Sequence, residues 1–125
     1  MNVFCPCFDA PVIVVSEQKK FVVKKVRKLS VDVGSTVWAV RGTEIAVSCR
    51  ASSPSGLSTE IEWLRSYGDP VTERFRGGVA AREGTLTIRN LGRFNEGTYT
   101  CRASNKAGYT TALFTAKIIS KYIDV

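Results

Sequence analysis

The sequence of 125 residues contains no histidine. Ser-His-Asp and Cys-His catalytic sites are therefore excluded, and so is any metal site with an imidazole ligand. The sequence also lacks an apolar run long enough to cross a bilayer, and it has no Asn-x-Ser/Thr sequence for N-glycosylation. The remaining side-chain chemistry is that of carboxylates, basic groups, hydroxyls and four cysteines.

The N-terminus lacks the pattern of a secretory signal peptide. The first fifteen residues have no basic n-region, and Asp9 and Pro11 interrupt their apolar stretch. Three interpretations stay open: a fragment of a longer secreted protein, an incomplete gene sequence, and an intracellular protein.

The net charge of +7 is concentrated in one segment, Lys19–Lys28. We predict that residues 1–28 form a flexible basic segment outside the folded domain. A solvated linker is the simplest interpretation of such a run. The alternatives are a nuclear-import cluster and a cluster that binds an acidic glycan or another anionic surface, such as a lipid surface. The side chains that would contact such an anionic partner are Lys24, Lys25, Arg27 and Lys28. We predict no specific binding of nucleic acid.

The clearest strand pattern lies between Gly84 and Gly108. Leu86 and Ile88 alternate with polar residues, which is typical of a strand with one buried face. After a polar corner, a second alternating run places Tyr99, Cys101 and Ala103 on one face. Turn residues recur about every ten positions along the chain, and no helical period is present. The sequence therefore predicts an all-β protein, a sandwich or a barrel.

Alternation elsewhere identifies further inward positions. Cys49 ends one half-buried strand, and Trp63 lies on the inward face of the next. In the weakly patterned stretch that follows, we expect Phe75 and Val79 to be the inward contacts. A Gly34-Ser35 break divides the first strand of the patterned region into two parts.

The ordered set of signature residues resembles an immunoglobulin superfamily domain. The set is Cys49, Trp63, Leu86-x-Ile88, Gly97-x-Tyr99-x-Cys101 and Ala103-x-Asn105-x-x-Gly108, and its last part is similar to the intermediate, or I-set, group. The resemblance implies an immunoglobulin-like two-sheet antiparallel β-sandwich with Greek-key connections over residues 29–121.

The same resemblance implies roles for the signature residues. A Cys49–Cys101 disulfide would join the two sheets, with Trp63 packed on it, and Leu86 and Tyr99 would lie in the core. Intracellular family members keep these cysteines reduced, so the oxidation state stays open. The family breaks the first strand where this chain has Gly34-Ser35, and the strand crosses there between the sheets.

The chain departs from the family pattern at Asn95. The family usually has an aspartate at this place, which pairs with an arginine. Arg74 is the first candidate for that arginine and Arg76 the second. Because a neutral amide accepts only an ordinary hydrogen bond, the salt bridge is in doubt here, whereas the fold is not.

Each of two residue clusters can be interpreted either as a reactive or metal-binding site or as residues without a chemical role. Cys5-Pro6-Cys7 is interpreted as unpaired thiols or as part of a neighbouring unit, with metal binding, lipidation and an intermolecular disulfide as alternatives. Glu60 and Glu62 are interpreted as a solvated strand face with Arg102 as counter-charge, since no sequence feature builds a pocket around them. We predict no enzyme activity, no metal and no cofactor.

An outward patch is the remaining candidate for binding. Leu64 and Leu113 point away from the core by alternation, and with Arg102 they define a candidate interaction patch; chance exposure is an equal alternative. The resemblance implies a non-catalytic protein-interaction or cell-adhesion module of a larger extracellular or matrix protein, with an unknown protein partner. The alternative is a structural spacer in an intracellular, muscle-type array, which would place the chain in the cytoplasm.

Overall fold

A computed structural model describes residues 10–15, 20–23, 28–53, 56–66 and 68–119 of the chain. Within these ranges the chain forms eleven strands, and no described helix is long and apolar enough to cross a membrane. The strands are β1 (Val12–Ile13), β2 (Lys20–Val23), β3 (Lys28–Asp32), β4 (Thr36–Ala39), β5 (Glu44–Ser48), β6 (Ala51–Ser52), β7 (Glu60–Leu64), β8 (Val79–Arg82), β9 (Thr85–Ile88), β10 (Gly97–Asn105) and β11 (Gly108–Ile118).

The strands form two main sheets that pack as a sandwich. The five-stranded sheet has the order β2-β4-β11-β10-β7, and the four-stranded sheet has the order β3-β5-β9-β8. The central pairs in both sheets are antiparallel, as predicted. At the edges, β2 and β4 join in parallel to the five-stranded sheet, and β3 joins β5 in parallel. The sandwich fold predicted from the sequence is therefore confirmed.

The break at Gly34 and Ser35 moves the chain from one sheet to the other. β3 belongs to the four-stranded sheet and β4 to the five-stranded sheet, as the resemblance implied. Gly34 has a φ of 99°, which a residue with a Cβ rarely adopts, and its N–H donates to Leu113 O at 2.8 Å. This turn places β4 beside β11.

The core consists of the inward residues of both sheets. The inward residues of β5 and β9 are fully buried, as are Phe114 and Ala116 of β11, and the largest buried side chains are Trp63 and Phe114. Aromatic residues of this size each remove about 150–250 Å² from water. Burial thus follows the period-two pattern, because successive side chains of a strand point to opposite faces.

Phe75 is a correction to the sequence prediction. Val79 is buried as expected, whereas Phe75 is 40% exposed. The reason is the tight turn between Arg76 and Val79, which holds Phe75 outside the sandwich, where its ring lies 3.8 Å from the Arg89 guanidinium carbon. Val71 is the residue of this stretch that is buried with Val79 in the core.

Two strands come from the N-terminal segment. β1 pairs with β6, and β2 pairs with β4 at the edge of the five-stranded sheet. Thr110 Oγ1 also donates to Pro11 O at 3.1 Å. The domain boundary at residue 28 stays a prediction, and part of the segment pairs with the sandwich.

Candidate interaction surface

The signature residues meet at the centre of the sandwich. Cys49 and Cys101 form a disulfide that joins the two sheets, with Cα atoms 6.6 Å apart. Trp63 is the β7 neighbour of Cys101, and its indole Nε1 donates to Gly84 O at 3.1 Å. Leu86 is fully buried in the same cluster. The indole therefore fills space beside the disulfide and satisfies its one polar group.

Tyr99 forms the corner contact typical of this kind of sandwich. It is buried, and its hydroxyl donates to Asn95 O at 2.6 Å. The bond links β10 to the loop that precedes it, which is the arrangement of a tyrosine corner. Tyr99 therefore anchors the start of β10, the strand that carries Cys101, to the preceding loop.

Asn95 binds backbone atoms of two loops. Its Nδ2 donates to Gly77 O at 3.2 Å and to Asn90 O at 2.9 Å, and its Oδ1 accepts from Gly92 N at 2.8 Å. The side chain is almost fully buried. All three hydrogen bonds described for the Asn95 side chain are made with backbone atoms. Neither the Arg74 nor the Arg76 side chain takes part in them.

The candidate patch lies on the outer face of the five-stranded sheet. Thr100 is opposite Leu64 on one side and opposite Leu113 on the other, so the two leucines flank one threonine. Leu113 is 54% exposed, and Leu64 is half-buried. The strand register therefore places both leucines in the same outward row of the sheet.

A charged row lies next to the leucines. Arg102 is opposite Glu62, and its Nη2 lies 2.7 Å from Glu62 Oε1. Both side chains are more than 40% exposed, so solvent screening leaves this pair a small contribution to stability. The Tyr109 ring lies 5.9 Å from the Arg102 guanidinium. In the described part of the chain no cluster of acidic residues and cysteines is arranged to hold a metal ion.

Trp38 extends this outer face, and the sequence prediction missed it. It is 36% exposed on β4, and Lys117 Nζ lies 5.8 Å from its ring centroid. Thr98 and Thr115, between the tryptophan and the leucines, are 3.1 Å apart through their hydroxyls. The alternation of Trp38 with buried Val37 and Ala39 was the available signal.

Most of the basic N-terminal segment, residues 1–28, lies outside the described residues. Lys24, Lys25 and Arg27 fall there, so their predicted contacts with an anionic partner stay a prediction. Cys5 and Cys7 fall there as well. Lys28 is described: it is exposed at the start of β3, and its Nζ is 4.0 Å from Glu44 Oε2.

The fold and the central residues define a class of protein. Residues 28–105 match the family model of the immunoglobulin domain. The chain belongs to the immunoglobulin domain family, whose members are generally non-enzymatic.

Curated relatives come from long human proteins. The chain is 28% identical over 83 residues to ADAMTS-like protein 1 of Homo sapiens, and this match covers 66% of the chain and 4% of the relative. It is also 28% identical over 110 residues to immunoglobulin superfamily member 10 of Homo sapiens, which covers 86% of the chain and 4% of the relative. The chain thus spans a small fraction of the length of these relatives.

Solved structures share the fold at low identity. The neural ectodermal development factor IMP-L2 has a TM-score of 0.60 at 23% identity, covering 70% of this chain and 41% of that chain. A complex of titin M10 with the obscurin-like 1 immunoglobulin domain has a TM-score of 0.58 at 18% identity, covering 89% of this chain and 95% of that chain. At these identities the likeness shows the fold.

Proposed function

We propose that this immunoglobulin domain is a non-catalytic protein-interaction module that binds a protein partner through the outer face of its five-stranded sheet. The observation that carries the proposal is the outward row of Leu64, Thr100 and Leu113. Leu113 is 54% exposed although its neighbours on β11 face the core, so an apolar group is held on a regular, rigid surface. An apolar centre with a polar rim is the usual anatomy of a protein interface.

The rim of this face suits recognition. The Arg102–Glu62 pair and Tyr109 lie on one side of the leucines, and Trp38 with Lys117 lies on the other. Arginine and aromatic residues are enriched where interfaces concentrate their binding energy.

The disulfide supports an extracellular or matrix location. Disulfides persist in oxidising compartments and are rare in the cytosol. The rival function is a spacer domain in an intracellular array, as in muscle proteins. We propose that the domain is one of several modules in a larger adhesion or matrix protein, since the chain matches 4% of the length of each long relative.

A charge introduced on the outer face tests the proposal. Leu113→Arg places a cation at the centre of the patch, and because Leu113 is exposed, the variant should keep its melting temperature. Thr87→Arg is the matched control, since Thr87 lies on β9 of the other sheet. Immobilised protein would be used to capture partners from extracellular-matrix extracts, with quantitative mass spectrometry as the readout.

We expect the wild type and Thr87→Arg to capture the same proteins and Leu113→Arg to lose them. Equal capture by all three proteins would contradict an interface on this face. Loss with Thr87→Arg alone would place the binding surface on the four-stranded sheet instead.

A further inference from the structure

Six of the ten arginines lie in three loops at one end of the sandwich. The loops connect β4 to β5, β7 to β8 and β9 to β10. Ile88 at the end of β9 is opposite both Ile45 near the start of β5 and Val79 at the start of β8, so the loops meet at this end. The arginines are Arg41, Arg65, Arg74, Arg76, Arg89 and Arg93, and we call them, with Phe75 and Phe94, the arginine–phenylalanine surface.

Hydrogen bonds hold the three loops together. The Arg89 N–H donates to Gly78 O at 2.7 Å, and Leu91 exchanges backbone bonds with Gly42 and Thr43. The Asn95 amide ties Gly77 to the same corner. Because the loop backbones are fixed before any ligand arrives, binding would cost little backbone conformational entropy.

The positive charge of this end is largely uncompensated. The ion pairs of the described residues are Lys28–Glu44 and Arg102–Glu62, and neither involves these six arginines. The second and third loops carry three carboxylates, those of Asp69, Glu73 and Glu96, and Glu96 Oε1 accepts the Ile118 N–H at 3.0 Å. The guanidinium groups outnumber the carboxylates two to one.

Two aromatic rings stand among the arginines. The Arg89 guanidinium carbon lies 3.8 Å from the centre of the Phe75 ring. Phe94 is 97% exposed in the turn that begins at Gly92, where Asn95 N and Glu96 N both donate to Gly92 O. Core packing therefore does not account for Phe94, and a fully exposed phenyl ring in the loop that carries Arg89 and Arg93 is suited to contact a ligand.

We propose that the arginine–phenylalanine surface binds a sulfated polysaccharide. Guanidinium forks form paired hydrogen bonds with the oxygens of such anions, and they stay charged at all physiological pH values. Six cations spread over three loops suit a chain with repeated anionic groups better than one small anion. The disulfide favours an oxidising compartment, where the polyanion is a sulfated glycan and not a nucleic acid. The phenyl rings contact the apolar faces of the sugar rings.

The test measures binding of a size-defined heparin fragment to the full chain by calorimetry at several NaCl concentrations. The variant Arg74→Ser/Arg76→Ser/Arg89→Ser removes three exposed cations. Its log affinity should depend less steeply on log salt, by about one unit of slope for each arginine that contacts a sulfate. Lys24→Ser/Lys25→Ser/Arg27→Ser removes the same charge from residues 1–28, the rival site that the sequence predicts for an acidic glycan, and it should keep the wild-type salt slope.

A second variant keeps the charge. Phe94→Ser should retain the melting temperature because the ring is almost fully exposed. We expect it to bind heparin more weakly with an unchanged salt slope, since a phenyl ring releases no counterions. This result would identify the surface even if the triple arginine variant failed to fold. The Leu113→Arg variant should bind heparin as the wild type does, which separates this site from the proposed protein interface.

Three results would overturn the proposal. In the first, the triple arginine variant and Phe94→Ser both bind heparin with wild-type affinity and wild-type salt slope, whereas the Lys24→Ser/Lys25→Ser/Arg27→Ser variant loses binding. The second is equal binding of desulfated heparin. The third is equal binding of an oligodeoxynucleotide of matched charge, which would make the surface a general polyanion site.

Discussion

Asn95 shows how one residue adapts the fold to this chain. The aspartate usual in the family accepts hydrogen bonds from an arginine side chain. The Asn95 amide instead donates hydrogen bonds to two backbone carbonyls and accepts one from a backbone N–H. Nδ2 would lie 3.0 Å from a Cβ added at Gly78, so the glycine turn and the amide fit each other closely. The substitution leaves Arg74 and Arg76 at the surface with their charges available.

We predict that Asn95→Asp destabilises the domain although it restores the family residue. A carboxylate has no hydrogen to donate, so Gly77 O and Asn90 O would both face a negative charge in a buried site. The loss should be about 1–3 kcal/mol for each bond left unmade. Urea denaturation at neutral pH, followed by tryptophan fluorescence, measures it.

Asn90→Asp is the control for this prediction, because the Asn90 side chain is exposed and its change should be small. A more stable Asn95→Asp protein would contradict the expectation and would indicate that an arginine turns inward to pair with the new carboxylate.

At the scale of the element, β2 is the strand that the sequence described least well. It adds a parallel edge strand outside β4, in register from Lys20 opposite Thr36 to Val23 opposite Ala39. β4 is also paired with β11, so β2 is an addition to a complete sheet. Edge strands of this kind cover an unpaired row of backbone groups.

We predict that deletion of residues 1–28 leaves one cooperative unfolding transition with a lower midpoint. Among the described residues, the hydrophobic core cluster is formed by positions after 28 with Ile13 packed against it, and Ala10 and Pro11 are also buried. The midpoint falls because the pairing of β1 and β2 and the Thr110–Pro11 bond are lost. Urea unfolding of the shortened chain measures both quantities.

Deletion of residues 1–9 alone is the control, since it retains both strands and should leave the midpoint unchanged. A shortened 29–125 chain without a cooperative transition would show that the segment is required for the fold.

At the scale of the whole molecule, the disulfide is the covalent link between the sheets. Cys49 follows β5 of one sheet and Cys101 lies in β10 of the other, with a sequence separation of 52. Trp63 and Leu86 pack in the same cluster, so the link lies in a well-packed core. The packing of Trp63 and Leu86 around these positions does not depend on the oxidation of the cysteines. The lower conformational entropy of the unfolded chain, by contrast, requires the disulfide bond.

We predict that the Cys49→Ala/Cys101→Ala variant is less stable by about 4 kcal/mol, the chain-entropy value for a loop of this length. Denaturant unfolding gives the difference. A thiol count of the natural protein under denaturing, non-reducing conditions checks the oxidation state, and we expect at least two fewer thiols than the four cysteines provide.

The Cys5→Ser/Cys7→Ser variant is the control for the thiol count, because its two remaining cysteines should give no free thiol. Four free thiols in the natural protein would contradict the extracellular proposal, and they would also remove the reason to prefer a sulfated glycan over a nucleic acid.

The sequence by itself determined the sandwich, its class and its central residues. Alternation is a property of neighbouring residues, so it identified the inward faces of β5, β7, β9, β10 and β11 without knowledge of the pairing. The spacing from Cys49 through Trp63 to Cys101 then identified the family, and the outward direction of Leu64 and Leu113 followed from the same periodicity.

Only the tertiary structure decided which residues share a surface. Strand register, set by the contacts of distant segments, put Leu64 and Leu113 on either side of Thr100. The glycine turn at Gly77 and Gly78 kept Phe75 out of the core, against the sequence prediction. The convergence of three loops gathered arginines that are up to 52 positions apart in the sequence. Local patterns specify the direction of a side chain, whereas long-range packing determines its neighbours.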